Sequence, residues 1–383
     1  IGGVRLSGKL NTKLRLGLFS IQTEKDEANE IPTNNNTKLA LQHVVFSRSN
    51  IWYFYINRAA FGDDDFISRE ERYNRVMGLD YNLISQDNLW NGRFYLHRSY
   101  QPDVSGNDLS SGASLRYNSR YWGGFTDWVY IGENFRSDLG FVRRTDIVKG
   151  SNGISRTFWP ENSYINNHSF QFFGQTIFAP SLDMQQTDYR LQGSWEANFN
   201  DQSGGEIQWR SQYTYLFDDF NPTGSDNGPP LPADTDYHYN SVRLRYNSDR
   251  RRIFSYNVSS TYGGFFNGER LSIEAGANLR IQPKAFLGIQ MRYDNLSFPD
   301  PYPSADIWLI VPRIEVTFSK SVFWSTLIQY SNQRDNLGIN TRLQWRFAPL
   351  SDLFLVYTDN YFVNTFSPKV RSINLKLTYW LNI

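Results

Sequence analysis

The sequence predicts an all-β protein: a transmembrane antiparallel up-and-down β-barrel of about 20–22 strands in 383 residues. Three observations predict it. Aromatic residues make up 16% of the chain (28 Phe, 24 Tyr, 11 Trp), yet all hydrophobic residues reach only 40% and mean hydropathy is −0.54. Apolar and polar residues alternate with a period of two over segments of about ten residues. The connections between these segments alternate between short and long, as the periplasmic and extracellular ends of an outer-membrane barrel do.

Composition excludes the competing classes. A helical membrane bundle needs stretches of about 20 apolar residues, and the longest here are fragments such as Ile307 to Val311. A chain this rich in Trp, Tyr and Phe can bury enough surface to escape disorder. The balance of 39 basic and 38 acidic side chains gives no sign of a nucleic-acid partner. Zero cysteine excludes a disulfide framework and thiolate metal sites, and is compatible with an oxidising compartment.

In chain order, 21 extended segments are expected, beginning near Val4, Thr12, Lys38, Ile51, Arg72, Leu89, Leu109, Trp122, Asp146, Asn166 and Thr187. The series continues with Gly204, Tyr237, Arg252, Glu269, Ala285, Asp306, Ser321, Leu337, Asp352 and Ser372. The clearest runs from Arg270 to Gln282. There Leu271, Ile273, Ala275, Ala277, Leu279 and Ile281 fall on one face, opposite Arg270, Ser272, Glu274, Asn278, Arg280 and Gln282. Helical spacing would scatter both sets around a cylinder. The segments holding Leu287 to Asp294, Trp308 to Ser319 and Ile373 to Tyr379 repeat the pattern. Trp308 and Phe318 lie on one face, and in a strand tilted near 40° they span roughly 25 Å along the membrane normal. That is the height of an apolar band between aromatic girdles, and Tyr293 and Tyr379 join Trp308 and Phe318 as expected lipid-interface residues.

Short connections, among them Leu10 to Thr12 and Ser85 to Leu89, alternate with long ones such as Glu24 to Thr37, Phe135 to Asp146 and Asp218 to Tyr237. The short set is assigned to the periplasm. Bacterial barrels have even strand numbers, so 21 segments point to a further strand upstream of Ile1, or to a miscount between Asn134 and Asn167. Residues 1–383 are read as one barrel with no second domain.

Three stretches carry a family resemblance: Asn74 to Tyr81 (NRVMGLDY), Asn134 to Asp146 (NFRSDLGFVRRTD) and Asn336 to Tyr357 (NLGINTRLQWRFAPLSDLFLVY). With Gly2 to Leu10 and Leu16 to Thr23, they resemble a family of Bacteroidota outer-membrane proteins of unknown function. The resemblance implies the C-terminal barrel of proteins that carry, upstream, a domain similar to family 9 carbohydrate-binding modules. It implies no activity. The expected surroundings are the lipid bilayer and lipopolysaccharide, with other outer-membrane or periplasmic proteins as partners.

With apolar faces toward lipid, the opposite faces line the lumen. The candidate lumen residues are Arg243, Arg245, Arg270, Glu274, Arg280, Arg292, Arg313, Glu315, Arg342, Arg346 and Lys376, together with Asp294. Nine basic side chains against three acidic suggest a wall that favours anions. The structural alternative is a set of ladders between arginines and carboxylates on neighbouring strands. A lumen of 20 or more strands is too wide for side chains alone to fill. The loops Asp218 to Tyr237 and Phe135 to Asp146 are the segments expected to fold inward and constrict it.

Catalytic signatures are missing. The four histidines, His43, His97, His168 and His238, share no metal-binding spacing, and no G-x-S-x-G elbow is present. Asp63, Asp64 and Asp65 with Glu70 and Glu71 form an acidic loop that does not match the calcium-binding EF-hand pattern. Gly123–Gly124 and Gly263–Gly264 sit inside strands, where glycine marks a kink or a close backbone approach. The expectation is a non-enzymatic outer-membrane transport or channel protein without cofactor or metal, its lumen closed by loops or a partner. The alternative is a non-conducting scaffold subunit of a larger outer-membrane complex.

Overall fold

The computed structural model describes residues 2–62, 65–225 and 228–381. It contains 21 strands in chain order, from β1 (Gly2–Lys9) to β21 (Pro368–Thr378), and its only helical turns among these residues are 3-10 turns at Arg69–Glu71 and Pro180–Leu182. The strands run up and down, each antiparallel to its neighbour in chain order. Of the acidic loop, Asp63 and Asp64 lie outside the described residues.

Two compact units divide the chain, Ile1–Thr157 with Gln171–Leu191, and Phe158–Phe170 with Gln192–Ile383. The first holds the ladder from β1 to β9 (Ile147–Phe158), including β4 (Ser49–Phe61), β5 (Tyr73–Ile84), β6 (Trp90–Tyr100) and β7 (Leu109–Asn118). The second holds β12 (Gly204–Leu216) to β21, including β15 (Gly268–Ile281), β16 (Ala285–Ser297), β17 (Ala305–Thr317), β19 (Asn336–Ala348) and β20 (Ser351–Tyr361). Strands β10 (Ile165–Ala179) and β11 (Gln185–Phe199) contribute to both.

Local chemistry builds the short connections. A side-chain oxygen two to five residues away accepts the backbone N–H groups that the turn frees. Asn11 accepts from Lys13 at 2.8 Å and Leu14 at 2.9 Å, Ser85 from Trp90 at 2.9 Å, Asp201 from Ser203 at 3.0 Å, and Ser319 from Val322 at 3.1 Å. At the turn before β14 (Phe254–Phe265), Asp249 accepts from the side chain of Arg251 at 3.0 Å and from its N–H at 2.9 Å. Those bonds hold the Asp249 carboxyl below its usual range. Ser203 does the same for Asp201.

Two strands begin earlier than the alternation suggests. β3 (Thr33–Val45) starts at Thr33 rather than Lys38, and β21 at Pro368 rather than Ser372. The run TNNNT is a poor intrinsic strand. It pairs because its side chains bond across to β2 (Leu14–Gln22): Ser20 with Thr37 at 2.9 Å, and Asn35 with Gln22 and with Ser20, each at 3.3 Å.

Glycine supplies one necessary distortion. Gly263 in β14 has φ +149, and a Cβ there would meet Asn240 O at 2.3 Å and Ser241 Cα at 2.6 Å. This is the close backbone approach expected of that pair.

Candidate functional site: a polar sheet face and the loops that cover it

The registers of the second unit bring all eleven predicted lumen residues to one face, because directly paired residues share a side of a sheet. Glu274 pairs with Arg292 and Arg280 with Phe286, Phe286 with Glu315 and Gly288 with Arg313. Ser325 pairs with Glu315 on one side and Arg342 on the other, and Phe354 carries the face to Lys376. Arg245 and Arg243 lie opposite Ser259 and Thr261, and Arg270 opposite Gly263.

This polar face is the buried one. Ser272 and Asp294, directly paired, are 5% and 7% exposed, whereas Ile273 on the opposite face is 38% exposed. Ser255, Ser259 and Gln208 are buried as well. The apolar face exposes Leu287, Ile289 and Met291. Its aromatics cluster toward the strand ends. Tyr293 and Trp308 pair across β16 and β17 with ring centroids 4.4 Å apart. At the other end Phe318 is exposed just beyond β17, and Tyr379 stacks on Phe347 at 6.5 Å.

Carboxylates on neighbouring positions engage about half of the predicted basic residues. Arg292 donates to Asp294 at 2.6 Å and lies 3.6 Å from Glu274, which also receives Arg243 at 3.4 Å. Arg313 pairs with Glu315, and Arg346 with Asp352 at 3.3 Å. Arg280 donates to the carbonyl of Arg250 at 2.6 Å. Ladders therefore form, but they leave Arg270, Arg245, Arg342 and Lys376 outside any ion pair among the described residues.

The described parts of the longest connection, residues 217–225 and 228–234, lie on this same face. Phe220 and Leu231 exchange backbone hydrogen bonds at 2.9 and 2.8 Å, and Leu231 is buried. Phe220 packs on Phe266 at 5.1 Å, and Phe266 on Tyr239 at 5.6 Å. Thr223 accepts from Gln333 at 3.3 Å, 110 residues away in sequence. Beneath the loop lies a cavity of about 410 Å³, lined by Pro222, Arg270, Arg292, Gln329, Gln333 and Arg334 among others.

The first unit repeats the arrangement. Arg58, Asn74, Asp80, Arg93, His97 and Ser99 share a face by register. Asp80 is buried and accepts from His97 Nε2 at 2.8 Å and Arg93 at 3.0 Å. Residues 132–146 lie over this face. Asn74 donates to Arg136 O at 3.1 Å and accepts from Asp138 N at 3.0 Å, while Arg58 donates to Asp138 at 2.6 Å. Ser99 accepts from Arg136 N at 3.2 Å, and Phe135 is buried. Two of the stretches that carry the family resemblance are thus in direct contact.

Sequence reasoning missed these partners. Neither Asp80 nor His97 has a local signal, because they meet only through the pairing of β5 with β6. It also missed Asp359, which is 0% exposed and accepts from Tyr357 at 2.6 Å, Tyr361 at 2.5 Å and Arg371 at 2.9 Å. Asp359 shares its side of β20 with Leu353 and Leu355. A charge on an otherwise apolar face is invisible to a two-residue average. Among the described residues, no three His, Asp or Glu side chains gather as metal ligands.

No protein-family model matches the chain, and no curated protein matches it. Among solved structures it is similar to the crystal structure of the ferric-catecholate import receptor Fiu from E. coli K12 in its open form. Sequence identity is 8%, the TM-score is 0.45, and the match covers 97% of this chain and 71% of that chain.

Proposed function

We propose that the antiparallel sheet closes as an integral outer-membrane β-barrel of the Bacteroidota family it resembles. In this reading it is a non-enzymatic transport or channel protein whose lumen is occluded by residues 132–146 and by residues 217–225 and 228–234. The observation that carries this reading is the inverted burial. Water-soluble folds hide apolar side chains and expose polar ones. Here Ser272 and Asp294 are enclosed, while Ile273, Leu287 and Met291 are bare, the distribution a bilayer solvent selects. Lipid and lipopolysaccharide are then the partners of the apolar face, and the arginine-rich polar face lines the solute path.

The test is conductance across planar bilayers. Anion-selective current that is reduced or reversed by Arg280→Glu, Arg292→Glu and Arg313→Glu is expected. Silence, or cation selectivity untouched by those changes, would sink the transport reading.

A second reading, a non-conducting scaffold, is favoured by one feature: every residue of β1 is exposed. Its edge away from β2 has no partner strand among the described residues, and a free edge is a template for another chain. Stable co-purifying proteins together with silent liposomes would support it.

A further inference from the structure

We infer that the cavity lined by Pro222 of the connection after β12 binds a small organic anion, with its oxyanion on Arg270 and Arg334 and its apolar body against Phe265 and Leu309. This rests on the reading of the polar face as a solute path and names the class of solute.

The volume, about 410 Å³, falls in the range of small-molecule sites. Arg270, Arg292 and Arg334 reach it, and Asp294 is its one acidic lining residue. Asp294 is already taken by Arg292 at 2.6 Å, and Arg292 also faces Glu274. Arg270 has no such counter-ion among the described residues. Its guanidinium lies over the Phe265 ring at 4.8 Å. Among the described residues the hydrogen bonds of Arg334 are made by its backbone: its N–H donates to Ser331 Oγ at 3.3 Å, and its carbonyl accepts from Lys369 at 3.4 Å.

Two guanidinium forks without carboxylates, in a recess walled by protein, focus positive potential there. Their planar donor pairs match carboxylate or phosphate oxygens. Phe265, Leu296, Leu309 and Pro222 supply an apolar wall, which an inorganic ion would leave unused. Gln333, bonded to Thr223, ties the covering loop to the site.

Isothermal titration of the full chain in detergent, with phenyl phosphate, inorganic phosphate and benzylamine as probes, tests this. Phenyl phosphate is expected to bind about tenfold or more tightly than inorganic phosphate, and benzylamine not at all. Arg270→Gln and Arg334→Gln should each weaken phenyl phosphate by about tenfold, whereas Lys320→Gln, in the turn after β17, should leave it unchanged. Absent binding, equal binding of benzylamine, or indifference to both arginine changes would overturn the site. If the arginine variants do not assemble, salt gives the same decision on the unaltered protein. Affinity must fall roughly fivefold or more from low to high salt, and salt-independent binding refutes the proposal. Planar-bilayer conductance on the same preparation separates the two ideas: binding without current ends the transport reading alone, and current without binding ends the site alone.

Discussion

Arg58 and Asp138 stand 80 residues apart and meet at 2.6 Å, Nε to Oδ2, each side chain only 13% exposed. The pair fastens the segment after β8 (Trp122–Ile131) to the polar face of β4. Asp138 also receives the Arg136 guanidinium, so one carboxylate holds two cations. Removing it by Asp138→Ala leaves Arg58 enclosed and uncompensated, a loss of about 3 kcal/mol in local stability. Trypsin should then cut after Arg143 much faster than in the unaltered protein. An unchanged cleavage rate would show that the segment is held elsewhere.

Asn74 supports the same segment through the backbone, donating to Arg136 O and accepting from Asp138 N. Asn74→Ala strands both groups at a cost of about 1–3 kcal/mol. Because the two residues hold one loop, Asn74→Ala and Asp138→Ala should combine non-additively, with a coupling of about 1 kcal/mol or more in a double-mutant cycle. Strict additivity in denaturant unfolding would count against a shared latch.

Leu231 anchors the other covering loop. It is 1% exposed, and Leu231→Ala should cost about 2–5 kcal/mol locally. Loosening this cover is expected to speed proteolysis within residues 219–230 and to raise single-channel conductance. Current that stays unchanged while proteolysis accelerates would remove the loop from the role of gate.

Gly263 has φ +149 and no room for a Cβ. Gly263→Ala forces the β13 (Thr235–Asn247) backbone away at a cost of about 1–3 kcal/mol. Slower assembly and a lower midpoint of thermal unfolding should follow, whereas Gly17→Ala, where a Cβ meets open space, should behave as the unaltered protein does.

Asp249 gives a pH dependence with a definite sign. Its side-chain bond from Arg251, followed by the backbone bond from the same residue, lowers the folded-state pKa below the ordinary value. Its stabilisation is therefore complete above about pH 4, the unfolded carboxylate's range. It is lost as pH falls through the lowered folded value. Stability followed from pH 7 downward should not change with pH on this account near neutrality, where the contribution is fully present, and should decline only below about 4. Asp249→Asn should flatten that part of the profile, and an unaltered acid limb would exclude the turn as its source.

Much of the fold was legible in the sequence. Nineteen of the 21 strands begin within two residues of where alternation and turn residues place them, because both signals are local. The misplaced starts of β3 and β21 arise where polar strand ends pair through bonds such as Asn35 to Gln22, which no hydrophobic pattern encodes. The polar face was legible too: Arg243 through Lys376 occupy one side. Their partners were less so. Arg292 and Glu274 are 18 residues apart in sequence, and they meet because β15 and β16 pair in one register out of several.

By itself the sequence determined the approximate number of strands, about 20–22, the two chemical faces of each, and the connections with enough residues to fold back. A period of two survives any sliding of one strand past its neighbour by an even number of residues. Only the tertiary structure decided which charge meets which, and which groups of the polar face receive the two long connections that the sequence expects to fold inward. Register is set by contacts along the whole length of a strand pair. A loop without periodicity takes its course from the single groups that receive it, Arg58, Asn74 and Gln333.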